Sequence, residues 1–159
     1  MHKVYLGFGS NLGDRGKNIQ TAVADMERWG IKILRMSKIY ETEPVGIKDQ
    51  PMFYNAAAVG ETSLTPEEVL MAALAIERSL KRERKEKWGP RTIDIDILMY
   101  DDLILDIHGL VIPHPHLHER KFVLEPLNEI APDIMHPALH KPISQLLKES
   151  DDEAIVRLL

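Results

Sequence analysis

Two hydrophobic rhythms run along this chain, and together they predict most of its elements. Residues 3–8 form a short apolar run, a first strand, with Gly7, Gly9 and Gly13 punctuating its end. Ile19, Ala22, Val23 and Met26 then recur at helical spacing. Residues 31–40 are apolar and β-branched enough for a second strand. Pro44, Gly46 and Pro51 make residues 41–52 a loop, and residues 53–59 read as a third strand ended by Gly60. The second helix has a clear start: Thr65 as cap, Pro66 in the first turn and Glu68 completing a capping box. Its buried stripe is Val69, Ala73, Ile76 and Leu80. Residues 92–100 predict a fourth strand, and residues 103–107 and 110–112 flank His108-Gly109 like a hairpin. Helical pieces follow near residues 119–128 and 143–148, and the remainder reads as a tail. The order β-α-β-β-α-β predicts an α+β fold, a ferredoxin-like sandwich with an extra C-terminal hairpin and short helices. Helices should cover one sheet face and leave the other open for a ligand.

Composition narrows the class. The chain has 159 residues, 44% hydrophobic and 28% charged, which fits one domain spanning residues 1–159. It has no cysteine, so thiolate metal sites and disulfides are excluded. No apolar run approaches the roughly 20 residues that cross a bilayer. The first residues lack the long apolar stretch of a signal peptide, so a cytoplasmic protein is expected. A net charge of −5 argues against nucleic acid as partner. Residues 81–87 nevertheless carry five cations and two anions, and Arg91 follows. A basic segment in an acidic protein suggests a small anionic ligand.

Asp94 and Asp96 alternate with Ile93, Ile95 and Ile97. On a strand the isoleucines point into the core and both carboxylates point the other way, with Cα atoms about 6.5–7 Å apart. Two anions that close repel unless a cation sits with them. Magnesium takes one or two carboxylates together with substrate phosphates. An Asp-x-Asp strand can equally be a plain polar outer face. The preceding Arg82, Arg84, Lys85, Lys87 and Arg91 favour phosphate chemistry, which needs metal and cationic clamps together.

The segment Lys87-Trp88-Gly89-Pro90-Arg91-Thr92-Ile93-Asp94-Ile95-Asp96-Ile97-Leu98 resembles the signature of the 6-hydroxymethyl-7,8-dihydropterin pyrophosphokinases of folate biosynthesis. Gly9-Ser10-Asn11-Leu12-Gly13, residues 40–46, Asp49-Gln50-Pro51 and Asn55-Ala56-Ala57 resemble further segments of that family, in order. So do Pro113-His114-Pro115-His116, Arg120-Lys121-Phe122 and Pro126-Leu127. The likeness runs from about residue 4 to residue 137.

The resemblance implies transfer of diphosphate from ATP to the hydroxymethyl group of a reduced pterin, with release of AMP. It implies two magnesium ions on Asp94 and Asp96, and catalytic roles for these aspartates with Arg82 and Arg91. Thr42, Val45, Phe53, Asn55, Trp88 and Phe122 would form the pterin pocket. Glu77, Arg84, Lys87, Trp88, Arg91, Ile97, His114 and Arg120 would serve ATP. Positioning and charge neutralisation suffice for such a transfer, so no general base is assigned. Phe53 stands where the family commonly has tyrosine, and Leu74 and Val111 replace polar residues near the nucleotide. The charged segment is one residue shorter than in some relatives. A monomer is expected, and the sequence carries no sign of a second folate enzyme fused to it.

Two other readings compete. His114, His116 and His118 alternate, and His136 and His140 have helical spacing, which would suit a zinc hydrolase. Pro113, Pro115 and Pro137 oppose the regular elements this requires. A non-enzymatic ferredoxin-like binding module is the third reading. It would bind a partner or a regulatory nucleotide, with the basic segment as its interface, and it leaves the paired carboxylates without a purpose.

Overall fold

The structure is a computed structural model that describes residues 1–46, 49–80 and 92–159. Arg82, Arg84, Lys87, Trp88 and Arg91 lie outside the described residues. The elements run β1 (His2–Ser10), α1 (Arg15–Arg28), β2 (Ile31–Met36), β3 (Tyr40–Thr42), β4 (Phe53–Thr62) and α2 (Pro66–Leu80). They continue with β5 (Asp94–Tyr100), β6 (Leu105–Ile107), β7 (Leu110–Ile112), a 3-10 turn (Leu117–Glu119), α3 (Lys121–Ile130), α4 (Ile143–Glu149) and β8 (Val156–Leu158). The main sheet is antiparallel in the order β5-β1-β4-β3-β8, with β2 also paired to β4. The fold is α+β and ferredoxin-like, as the element order predicts.

Local signals act where expected. Asp14 caps α1 by accepting from Lys17 N–H at 3.2 Å. Thr65 and Glu68 form the reciprocal box: Thr65 N–H donates to Glu68 at 2.9 Å, and Glu68 N–H to Thr65 Oγ1 at 3.2 Å.

Val4, Leu6 and Phe8 of β1 face one way and pack with Ile19, Ala22 and Met26 of α1 and Val69, Ala72, Ala73 and Ile76 of α2. Ile93, Ile95 and Ile97 join this cluster, as their alternation predicts.

The opposite face departs from expectation, because it is covered over one end. Tyr5, Ala57, Val59, Leu98 and Met99 pack there under Val123, Leu124, Leu127 and Ile130 of α3 and Ile143 and Leu146 of α4. Leu124 and Leu127 are fully buried, each worth about 1.5–3 kcal/mol of transfer free energy. A register shift helps. Tyr5 pairs with Met99 and Leu6 with Ile97, so Leu98 is an extra residue in β5. That bulge turns both Leu98 and Met99 towards the second cluster.

The expected strand over residues 31–40 is instead two. Ser37 interrupts it: its N–H donates to Ala57 O at 2.8 Å, and its Oγ accepts from Ala57 N–H at 2.9 Å. A side chain thus supplies a ladder bond, and the chain bends between β2 and β3. Lys38 N–H and Tyr40 O–H both donate to Glu129 of α3, the latter at 2.8 Å. The expected tail also contains a strand, β8, on the free side of β3.

Candidate active site

Three strands build the floor of a cleft. Gly7 of β1 pairs with Ala57 on one side and Asp96 on the other, and Gly9 pairs with Asn55 and Asp94. Paired residues share a face, so Asp94 and Asn55 look across Gly9 from about 10 Å apart, two strand spacings. The central strand contributes no side chain there. A Cβ on Gly9 would lie 2.8 Å from Asn55 Oδ1, so any side chain there would push the carboxamide out of place. The cleft holds about 280 Å³.

One wall is β3 and the loop after it, with Thr42, Glu43 and Val45. Asn55 Nδ2 donates to Thr42 Oγ1 at 2.5 Å, and both residues are buried. This fixes the carboxamide over the glycine floor. Phe53 adds apolar surface beside it. The segment entering β4 is tied down from β1 and α1. Asn11 Nδ2 donates to Gln50 Oε1 and Pro51 O, both at 2.9 Å. Arg15 donates to Met52 O at 2.8 Å and lies 3.8 Å from the Tyr54 ring centroid.

The other wall is the chain from His114 to Val123. His114 N–H donates to Leu98 O at 2.9 Å, which holds the residue against β5. Its Nδ1 accepts from His116 N–H at 3.1 Å, so the proton of the neutral ring resides on Nε2. Nε2 stands 4.0 Å from Asp96 Oδ1. Burial, reinforced by Arg120 and His116, pushes the His114 pKa down to about 4. Near neutral pH the contact is therefore between an imidazole and a carboxylate, not an ion pair. Arg120 caps the start of α3 and lies 5.6 Å from the Phe122 ring centroid.

Nine predicted site residues meet in this cleft: Thr42, Val45, Phe53, Asn55, Asp94, Asp96, His114, Arg120 and Phe122. Two others do not. Ile97 has the parity of Ile95 and is buried in the α1/α2 core, so its side chain does not line the cleft. Glu77 does not line the cleft. Its Oε2 accepts from Ile95 N–H at 2.7 Å, covering an amide on the outer edge of β5 between the two aspartates. Gly7, Gly9 and Glu43 line the cleft without having been singled out as site residues. The alternation Gly7-x-Gly9 inside a strand was the available signal, and it reads equally well as a strand end.

The histidines do not converge. His116 Nδ1 pairs with Glu119 at 2.9 Å, and His118 stacks edge-on to His136 with centroids 6.2 Å apart. Among the described residues no group of three or more histidine, aspartate or glutamate side chains is arranged to hold a metal. The described residues thus give the zinc reading no ligand cage. Asp94 and Asp96 offer the hard oxygen donors that suit magnesium shared with phosphates, and they stand on the open part of the face.

The family model for 7,8-dihydro-6-hydroxymethylpterin-pyrophosphokinase matches residues 5–132. The chain belongs to this family. It is 40% identical to the 2-amino-4-hydroxy-6-hydroxymethyldihydropteridine pyrophosphokinase of Aquifex aeolicus, over 94% of this chain and 93% of that one. It is equally similar to the Pseudomonas aeruginosa enzyme of the same name, at 40% over 99% and 98%. The folic acid synthesis protein fol1 of Schizosaccharomyces pombe is 42% identical, but this chain spans only 21% of its length. Among solved structures, Plasmodium falciparum HPPK-DHPS superposes with a TM-score of 0.71 at 18% identity, over 94% of this chain and 43% of that one. That likeness shows a shared fold. For this member of the family, the cleft between the β3 loop and α3 is the candidate active site.

Proposed function

We propose that this chain transfers diphosphate from ATP to the hydroxymethyl oxygen of 6-hydroxymethyl-7,8-dihydropterin, releasing AMP, as a step of folate biosynthesis. One observation carries the reading: a carboxylate pair and a buried amide–hydroxyl pair face each other across a glycine floor. The flat pterin would lie on the Asn55 side, with Phe53 and Phe122 near its faces and Thr42 and Val45 at its edge. An amide supplies both donor and acceptor, which matches the polar edge of a pterin. The triphosphate would lie along Asp94 and Asp96, with His114 and Arg120 on its oxygens. Magnesium held by the two aspartates would neutralise phosphate charge, and two ions are expected.

In the transfer the pterin oxygen bonds to the β-phosphorus, the bond from that phosphorus to the α,β-bridging oxygen breaks, and AMP leaves with that oxygen. The hydroxyl proton passes to solvent or to phosphate. Arg82 and Arg91 are assigned to the charge that builds on the transferring group, and Arg84, Lys87 and Trp88 to substrate binding. Leu74 and Val111 are both exposed, so adenine contacts near them fall to packing and backbone groups. No helix among the described residues is long and apolar enough to cross a membrane. The reading takes residues 1–159 as one cytoplasmic catalytic unit, active as a monomer, with small molecules and not nucleic acid as partners.

The test is one assay. With ATP, magnesium and the reduced pterin, AMP and pterin diphosphate should appear in equal amounts. Release of ADP, or AMP release independent of pterin, would refute the transfer. Binding of ATP without AMP would favour the non-enzymatic module.

A further inference from the structure

The C-terminal segment joins the two walls of the cleft, although none of its residues lines it. β8 pairs with β3 through Thr42–Val156, Glu41–Arg157 and Tyr40–Leu158. Just before it, Ile155 N–H donates to Glu43 Oε1 at 2.6 Å, and Glu43 N–H donates to Ile155 O at 3.3 Å. Glu43 is itself part of the β3 wall. Three residues earlier, Asp152 Oδ2 accepts from Lys121 N–H at 2.9 Å, while its Oδ1 accepts from Ala154 N–H at 3.0 Å.

Lys121 is the first residue of α3, and the capping residue, Arg120, makes no side-chain cap bond. The opening amides of a helix need an acceptor, and the helix end favours a negative charge. Asp152 supplies both from a distant part of the sequence. The residues either side of this bond, Arg120 and Phe122, both line the cleft. The far end of α3 is already tied to β3 through Glu129 and Tyr40. Without Asp152, the cleft end of the helix would lack the matching tie.

From this geometry we infer that Asp152 is a positioning residue for the pterin side of the cleft. Residues 150–158 act as a strap that sets the separation of Phe122 from Thr42 and Asn55. The strap acts on ground-state binding of the flat ring, because it holds two facing walls and touches no reacting atom. The inference rests on the activity proposed above.

The test is steady-state kinetics on the full chain with Asp152→Ala and Asp152→Asn. Asp152→Ala should raise the KM for the pterin about tenfold while changing kcat and the KM for ATP by less than about threefold. Asp152→Asn keeps one oxygen acceptor and should bring the pterin KM back to within about threefold of the parent. Thermal midpoints are read in parallel. A lowered midpoint with both KM values rising together would reduce Asp152 to a stabilising contact and overturn the inference, as would an unchanged pterin KM in both variants. A parent chain without pterin-dependent AMP release would instead sink the activity reading, and the strap with it.

Discussion

One face of the sheet ends in two ways. Near Tyr5, Val59 and Met99 the strands carry large apolar side chains, and α3 and α4 close over them. Two pairs further along, the same strands carry Gly9, Asn55 and Asp94, and the face stays open as a cleft. Gly7, Ala57, Asp96 and Leu98 form the boundary between them. The β1–β4 ladder is continuous across both ends and the β1–β5 ladder resumes beyond the Leu98 bulge, so backbone hydrogen bonding does not account for the difference. What differs is the transfer energy of the outward side chains. Apolar ones draw a helix down, whereas carboxylates and an amide over a glycine floor would be costly to bury under one.

Substitutions can break this contrast. The largest effect is expected at the open end. Asp94→Ala or Asp96→Ala should lower kcat by about a thousandfold or more, since each removes charge that the phosphates need. The thermal midpoint should stay close to that of the parent. A variant pair that keeps its turnover would refute the metal assignment. At the closed end the effect should be on stability instead. Leu127→Ala should cost about 3 kcal/mol in denaturant unfolding, as for a fully buried leucine, and leave both KM values near the parent's.

Gly9→Ala sits on the open floor. Its new Cβ would press on Asn55 Oδ1, so the pterin KM should rise about tenfold with little change for ATP. Equal loss for both substrates would mean that the floor is shared rather than divided. The smallest effect concerns pH. His114 holds a proton less readily in the fold, at about 4, than at its ordinary 6.5. Its contribution to stability is therefore full above about pH 6.5 and declines as the pH falls towards 4. Carbon-13 spectra should show the His114 ring still neutral when an exposed histidine is already charged. Replacing it with Gln should flatten that part of the stability profile.

Much of this was legible in advance. The capping box at Thr65 and Glu68 and the shared parity of Asp94 and Asp96 depend on neighbours within four residues, which a sequence displays directly. The split at Ser37 did not show, because residues 31–40 have one unbroken apolar character. Only the pairing of Ser37 with Ala57 cuts it. β8 did not show either. It is short and largely exposed, and it is held by backbone bonds to β3 that leave no pattern in side-chain type. The role of Glu77 on the edge of β5, where it accepts from Ile95 N–H, did not show either. Which orphan amide a carboxylate finds is a matter of where the helix lands.

The amino-acid sequence alone determined most of the elements, the two faces of β5, nine of the residues that meet in the cleft and the family to which the chain belongs. These depend on local periodicity and on segments long enough to be distinctive. The tertiary structure decided which end of the outer face would close, how α3 is tied at both ends, and that a C-terminal strand spans the walls of the cleft. Those outcomes come from contacts between residues about 30 to 110 positions apart, such as Lys121–Asp152, Tyr40–Glu129 and Glu43–Ile155. Their energies exist only once the helices have docked.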